Sequence, residues 1–201
     1  MRQSVKSLWR LPSEVYNNLA VRCAPGAHEA AFSLLNRYVP IEGHVLDLAA
    51  GSGAWLSRLR DAGFVNLSAI ELDVERFGLD GVHPQPVDLN SHFSEASFLR
   101  LHLITALEII EHLDCPRHFL REVHQMLAPQ GYFLVTTPNI GHWAGRLRFL
   151  LSAEHRYFKE SDYYQQRHIS PITHLQMNLM FQEIGYELIA YSTAGSFWAN
   201  P

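Results

Sequence analysis

Apolar runs alternate with amphipathic stretches along most of this chain. The first clear period is opened by Pro25-Gly26; Ala31, Leu34, Leu35 and Tyr38 share a helical face and Pro40 ends it. A turn at Glu42-Gly43 leads into the apolar run 44–48, read as a strand with Asp47 inside it. The small residues at 49–53 force a tight turn, and Trp55, Leu56 and Leu59 open a helix that stops at the C′ glycine Gly63. A second strand covers 65–70 and finishes at Glu71-Leu72-Asp73. The proline-broken segment 82–89 allows only a short third strand, ending near Asp88, whereas 99–107 reads as an apolar, central fourth strand. Asp114 and Pro116 signal a helix start, with Phe119, Leu120, Val123, Met126 and Leu127 on its buried side. Pro129-Gln130-Gly131 then turns the chain into a fifth strand at 132–136. Ile172, Leu175, Leu179 and Met180 mark a last helix up to Gly185, and 186–191 reads as a sixth strand.

Strands alternating with helices predict an α/β protein with a doubly wound parallel sheet. Residues 1–24 have weak periodicity and read as an N-terminal helical arm, leaving 25–201 as the main domain. The stretch 138–170 is different, being rich in aromatic and basic residues with only a hint of helix at 147–151. An insertion after a strand's carboxyl end is expected to act as a lid over a pocket.

Composition narrows the classes. The chain has 201 residues and a net charge of −4, so nucleic acid is not a favoured partner. Its two cysteines, Cys23 and Cys115, lack metal spacing and read as reduced thiols of a cytoplasmic protein. No run approaches the length of a membrane span.

In a doubly wound sheet ligands bind outside the carboxyl ends of the strands, where Gly51 and Gly53 fall. A dinucleotide fold would want a third glycine where Leu56 stands, which argues against a nicotinamide oxidoreductase. Glu71, ending the second strand, suits ribose hydroxyls, and Asp88, ending the third, suits an adenine amino group. With Asp47 before the glycines, these acids favour a cationic nucleoside over a pyrophosphate.

The run at 45–55, VLDLAAGSGAW, resembles the first motif of the class I S-adenosylmethionine-dependent methyltransferases, in the broad group with domain types 11 and 23. Ile70-Glu71-Leu72-Asp73 resembles the acidic ribose motif and Val87-Asp88-Leu89 the adenine-side motif. The run 103–113, LITALEIIEHL, matches the fourth-strand motif; Leu127-Ala128-Pro129-Gln130-Gly131-Tyr132 and Thr137-Pro138-Asn139 match two later ones. Ala49 and Gln130 replace glycines of the pattern, and His102 stands where an aspartate is common. The resemblance, over 25–191, implies a Rossmann-like sheet of order 3-2-1-4-5-(7)-6, with S-adenosylmethionine as cofactor. By that resemblance Asp47, Ala49, Gly51 and Gly53 meet the methionine end, Glu71 the ribose, Leu72, Asp88 and Leu89 the adenine, and Ala106 and Leu107 the sulfonium side. The family's seventh strand has only ten residues available after Tyr191, so the last edge strand is expected short or missing, either because a second subunit, as in a homodimer, covers the edge or because the chain is shortened at its C-terminus.

The nucleobase-amino motif of the family is absent after the fourth strand. Glu108-x-x-Glu111-His112 stands there instead and, if the chain turns helical, shares one helix face. His112, with Glu111 and His168, is the expected catalytic set, His112 being the base or acceptor-orienting group. Glu108, Glu111, His112 and His168 are also a candidate divalent-metal set, resembling metal-dependent O-methyltransferases of ubiquinone biosynthesis and of RNA 3′ ends. The expected activity is O-methylation of a small-molecule or glycan-type acceptor. The alternatives are a metal-dependent quinone or RNA 2′-hydroxyl enzyme and a non-catalytic cofactor-binding partner subunit.

Overall fold

The computed structural model describes residues 14–94 and 101–194. A short antiparallel hairpin, β1 (Val15–Tyr16) and β2 (Leu19–Ala20), comes first, followed by α1 (Ala27–Tyr38). Then β3 (Val45–Leu48), α2 (Ala54–Asp61) and β4 (Leu67–Ile70) build the first half of the sheet. The second half consists of β5 (Leu101–Leu107), α3 (Pro116–Met126) and β6 (Leu127–Thr136). Helices α4 (Trp143–Ser152), α5 (Glu160–Gln166) and α6 (His174–Ile184) follow. Among the described residues the main sheet is parallel, in the order β4-β3-β5-β6.

Alternation along the central strands decides which layer each side chain joins. Val45 and Leu103 pack with Leu35, Trp55, Leu56 and Leu59, so α1 and α2 cover one face. Leu46, Leu48, Ile104 and Ala106 point to the other face, where Phe119, Leu120, Val123, Met177 and Phe181 bring α3 and α6. Two apolar layers around a parallel sheet make the doubly wound architecture.

The structure corrects several expectations. Of the expected arm 1–24, residues 1–13 lie outside the described residues, and 15–20 form the hairpin rather than a helix, turning through Asn17 and Asn18 at φ 47° and 63°. Left-handed backbone at two successive central positions is the tight hairpin turn that asparagine tolerates. The third strand shrinks to one bridge between Ile70 and Gln85, because Pro84 and Pro86 remove the amide donors on either side. β6 starts earlier than expected, at Leu127, and bulges before Tyr132 pairs with Leu103. Gln130 there is left-handed (φ 61°), and a Cβ on Gly131 would sit 2.8 Å from the Leu101 carbonyl oxygen. Cys115 rather than Asp114 holds the N-cap position of α3, without a side-chain bond to the helix, and Asp114 gives its amide to Asn90 Oδ1 at 2.9 Å.

The expected sixth strand is absent from the described residues. Tyr186 donates its hydroxyl to the Leu120 carbonyl at 2.8 Å and packs its ring on Phe133 and Phe181, drawing the chain toward α3 rather than along β6. Residues 187–194 then run without regular structure, and Leu188, Ile189 and Tyr191 are exposed. The return through 196–198 lies outside the described residues.

Phe119 is fully buried, with its ring 5.7 Å from Phe93 and 6.4 Å from Phe133. Phe119→Ala is expected to lower unfolding stability by about 3–5 kcal/mol, read from urea denaturation at unchanged m-value.

Candidate functional site

The register of the sheet aligns the strand ends. Leu48 pairs with both Ile70 and Ala106, and Leu107 pairs with Thr136. The loops leaving β3, β4, β5 and β6 therefore open on one edge, which holds Gly51, Gly53, Glu71, Leu72, Leu107, Glu108 and Thr137.

The glycine turn is built by left-handed backbone at Ala49 (φ 60°), Gly51 (φ 57°) and Gly53 (φ 85°). A Cβ on Gly51 would meet only Arg22 Cδ, at 3.8 Å, so the turn is open on that side. At Gly53 a Cβ would come within 2.7 Å of Leu79 Cβ, so this glycine also admits the 77–79 loop against the start of α2. Glu71 spans the gap between the strand ends. One carboxylate oxygen accepts from the Gly51 amide at 2.6 Å and the other from the Asp73 amide at 2.9 Å. Leu72 beside it is 65% exposed, an apolar face without cover.

Asp47 lies buried below the turn and accepts a 2.7 Å hydrogen bond from the Thr105 hydroxyl, which in turn accepts from Trp55 Nε1 at 3.2 Å. Burial pushes its carboxyl up to about 7, against the Thr105 hydrogen bond, and the charge of Glu71 adds to the rise. Asp88 is exposed in its own loop, accepting from the Asn90 amide at 2.9 Å, while Leu89 is buried. Ala106 is buried in β5, and Leu107 is half-buried at its end.

Beyond β5 the chain does not turn into an α-helix. Glu108 is left-handed (φ 51°), and only a 3-10 turn at Ile110–His112 follows. That break takes Glu108 off the shared face expected for it. Its carboxylate instead accepts from the Thr136 hydroxyl at 2.7 Å, on the end of β6. Glu111, His112 and His168 do come together, with one ligand-type atom from each inside a 4.8 Å span. The two imidazoles meet edge to face at 4.8 Å. Glu111 is fully buried; one oxygen accepts from Thr137 Oγ1 at 3.2 Å, and the other has no hydrogen-bond partner among the described residues. Burial, then the nearby Glu108 charge, raise the Glu111 carboxyl well above its ordinary range. His112 is shifted down, first by burial and then by His168, which keeps its ring neutral near pH 7. The Tyr157 carbonyl lies 2.7 Å from His168 Nδ1 and can only accept, so His168 carries its proton there and presents Nε2 as a lone pair.

The 138–170 segment contains more order than its composition implies. Between the end of α4, α5 and the 168–171 segment runs an open groove of about 490 Å³, bordered by His155, Phe158, Tyr163, Tyr164 and His168. Two structural groups of the site escaped the sequence reading. Thr105 could have been found as a hydroxyl inside an otherwise apolar central strand. The hairpin, whose Ala20 carbonyl accepts from Ser52 Oγ at 2.8 Å, fastens the N-terminal segment over the turn.

Asp47 is protonated in the folded chain up to about pH 7 and ionised above about 4 when unfolded, so its contribution is largest at low pH and is lost as pH rises through 7. Asp47→Asn is therefore expected to gain stability relative to the parent chain between pH 4 and 8, in cofactor-free thermal melts. A flat difference would contradict the burial argument. Gly53→Ala is expected to lose about 1–3 kcal/mol in the same assay, from left-handed strain before any clash with Leu79.

A family model described as a methyltransferase domain matches residues 24–191. Among curated proteins none matches the sequence. Solved structures share the fold at low identity. A candidate methyltransferase of Bacillus halodurans superposes with a TM-score of 0.61 at 19% identity, over 80% of this chain and 70% of that one. A SAM-dependent methyltransferase of Archaeoglobus fulgidus gives 0.58 at 18% identity, over 80% and 69%. One from Mesorhizobium loti gives 0.54 at 17%, over 80% and 81%. With a parallel sheet, an open glycine turn and an acid at the next strand end already in place, the chain belongs to the methyltransferase-domain family and has the fold of its S-adenosylmethionine-dependent enzymes.

Proposed function

We propose that this protein transfers the methyl group of S-adenosylmethionine to a hydroxyl of a small-molecule or glycan-type acceptor. The observation that carries the acceptor chemistry is the His112–His168 imidazole pair standing over buried Glu111, at the end of β5. S-adenosylmethionine, when bound, supplies a methyl group already activated on a sulfonium. The open turn at Gly51, the Glu71 carboxylate and the uncovered Leu72 side chain fit an amino-acid, ribose and adenine moiety in that order along the strand ends. In this reading Asp88 and Leu89 border the adenine, and Asp47 acts from below through the turn it supports.

The chain's own work is alignment and proton handling. A neutral His112 can take the acceptor's hydroxyl proton. His168, fixed by the Tyr157 carbonyl, offers a second acceptor nitrogen beside it. Glu111 lies beneath the ring, with its unpartnered oxygen 3.8 Å from His112 Nε2, and positions it from below. The aromatic border of the groove, with Phe158, Tyr163 and Tyr164, suits the flat faces of a sugar or other ring.

The unpartnered Glu111 oxygen also favours a second reading, in which Glu111, His112 and His168 hold a divalent cation that orients the acceptor oxygen. Labelled methyl transfer to a panel of phenolic and sugar hydroxyls tests both. His112→Ala is expected to reduce turnover by about 10²–10⁴-fold while cofactor affinity stays within a few-fold. Full activity in excess EDTA would reject the cation, and turnover unaffected by His112→Ala would reject the base. Glu71→Ala should instead weaken cofactor binding, measured directly by calorimetry, by about 1.5–3 kcal/mol.

A further inference from the structure

A second cluster of ligating side chains lies away from the imidazole pair, on the outer side of α3. His118 and Glu122 are one turn apart on that helix, and His92 reaches them from the loop after Asp88. One ligand-type atom from each falls within a 4.8 Å span. His92 Nδ1 stands 3.2 Å from Glu122 Oε1, and His118 Nδ1 stands 4.0 Å from the same oxygen. Donor atoms around a tetrahedral zinc ion lie roughly 3.3 Å apart, as bond lengths of about 2.0–2.1 Å require. The His92–Glu122 pair stands at about that spacing already, and the His118–Glu122 pair is about 0.7 Å wider.

The surroundings orient these donors. The Ser91 carbonyl lies 3.0 Å from His118 Nε2 and accepts its proton, which leaves Nδ1 as a lone pair directed at the cluster. This is the arrangement in which a metal-bound imidazole is held by a backbone carbonyl at its other nitrogen. On Glu122 the second oxygen, Oε2, takes the Ser94 amide at 2.9 Å, so Oε1 is the one turned to both histidines. The Glu122 side chain is only 5% exposed, while that of His92 is 76% exposed. A buried carboxylate, a half-covered imidazole and an open imidazole leave one coordination position to solvent.

We propose that His92, His118 and Glu122 form a surface site for a zinc-type transition-metal ion, independent of the methyl-transfer centre. Two imidazole nitrogens and one carboxylate oxygen suit zinc and disfavour the oxygen-seeking magnesium and calcium ions. A bound ion ties the 90–94 loop to α3. That loop already carries buried Phe93 against Phe119 and follows directly on Asp88 and Leu89.

The test is calorimetric titration of the chelator-stripped full chain with zinc chloride, with melting temperature followed in parallel. His92 is exposed, so His92→Ala folds without difficulty and is the primary variant; His118→Ala is the second. Each is expected to weaken one equivalent of zinc at least tenfold and to abolish its share of the thermal shift. A chain carrying His112→Ala and His168→Ala should still bind one equivalent. Unchanged zinc affinity and stoichiometry in both His92→Ala and His118→Ala would overturn the proposal, as would complete loss of binding in the His112/His168 double variant.

Discussion

The buried hydrogen-bond chain from Trp55 through Thr105 to Asp47 is the constraint on which the site depends. It joins β3 and β5, already paired in the sheet with Asp47 opposite Thr105, to the first turn of α2, which otherwise packs on this face through apolar side chains. An acid at the centre of a parallel sheet is costly unless a donor meets it, and Thr105 is that donor. Because Asp47 sits two residues before the left-handed Ala49, the same chain fixes where the glycine turn begins. An apolar residue at 105 would leave the carboxyl unpaired under the turn.

Hydroxyls from the next strand repeat this logic beyond the end of β5. Thr136 and Thr137, consecutive at the end of β6, each hold one glutamate of the segment leaving β5. Successive residues of an extended chain face opposite ways, so the two carboxylates are held on separate hydroxyls, though still near enough for their charges to interact. The left-handed Glu108 is what makes that separation possible. Glu111 alone is left beneath the imidazoles.

Much of the fold was legible in the sequence because its signals are local. The periods of α1, α2, α3 and α6 and the glycines Gly63 and Gly185, at φ 100° and 103°, mark their own positions. The hairpin also had a signal, an asparagine pair between apolar residues, masked by the weak periodicity of 1–24 that reads as a helical arm. The break at Glu108 had none, since nothing in a run of Glu and Ile distinguishes a helix start from a left-handed kink. α5 was invisible for a related reason: its residues bury little against the sheet, so no apolar period records it. The meeting of His168 with His112 was suggested only by resemblance, and its geometry comes from a contact through Tyr157 that no spacing rule contains.

The amides of Ile169 and Ser170 both donate to the Glu111 carbonyl, at 3.0 and 2.9 Å, and Ser170 Oγ adds a bond to the Leu113 carbonyl at 2.8 Å. Residues 169 and 170 are thereby riveted to the segment that bears His112. Opening the 138–170 segment from that end would break these three bonds and disturb Glu111 and His112 with it. The position of His168 is thus coupled to that of His112 through the backbone as well as through their rings.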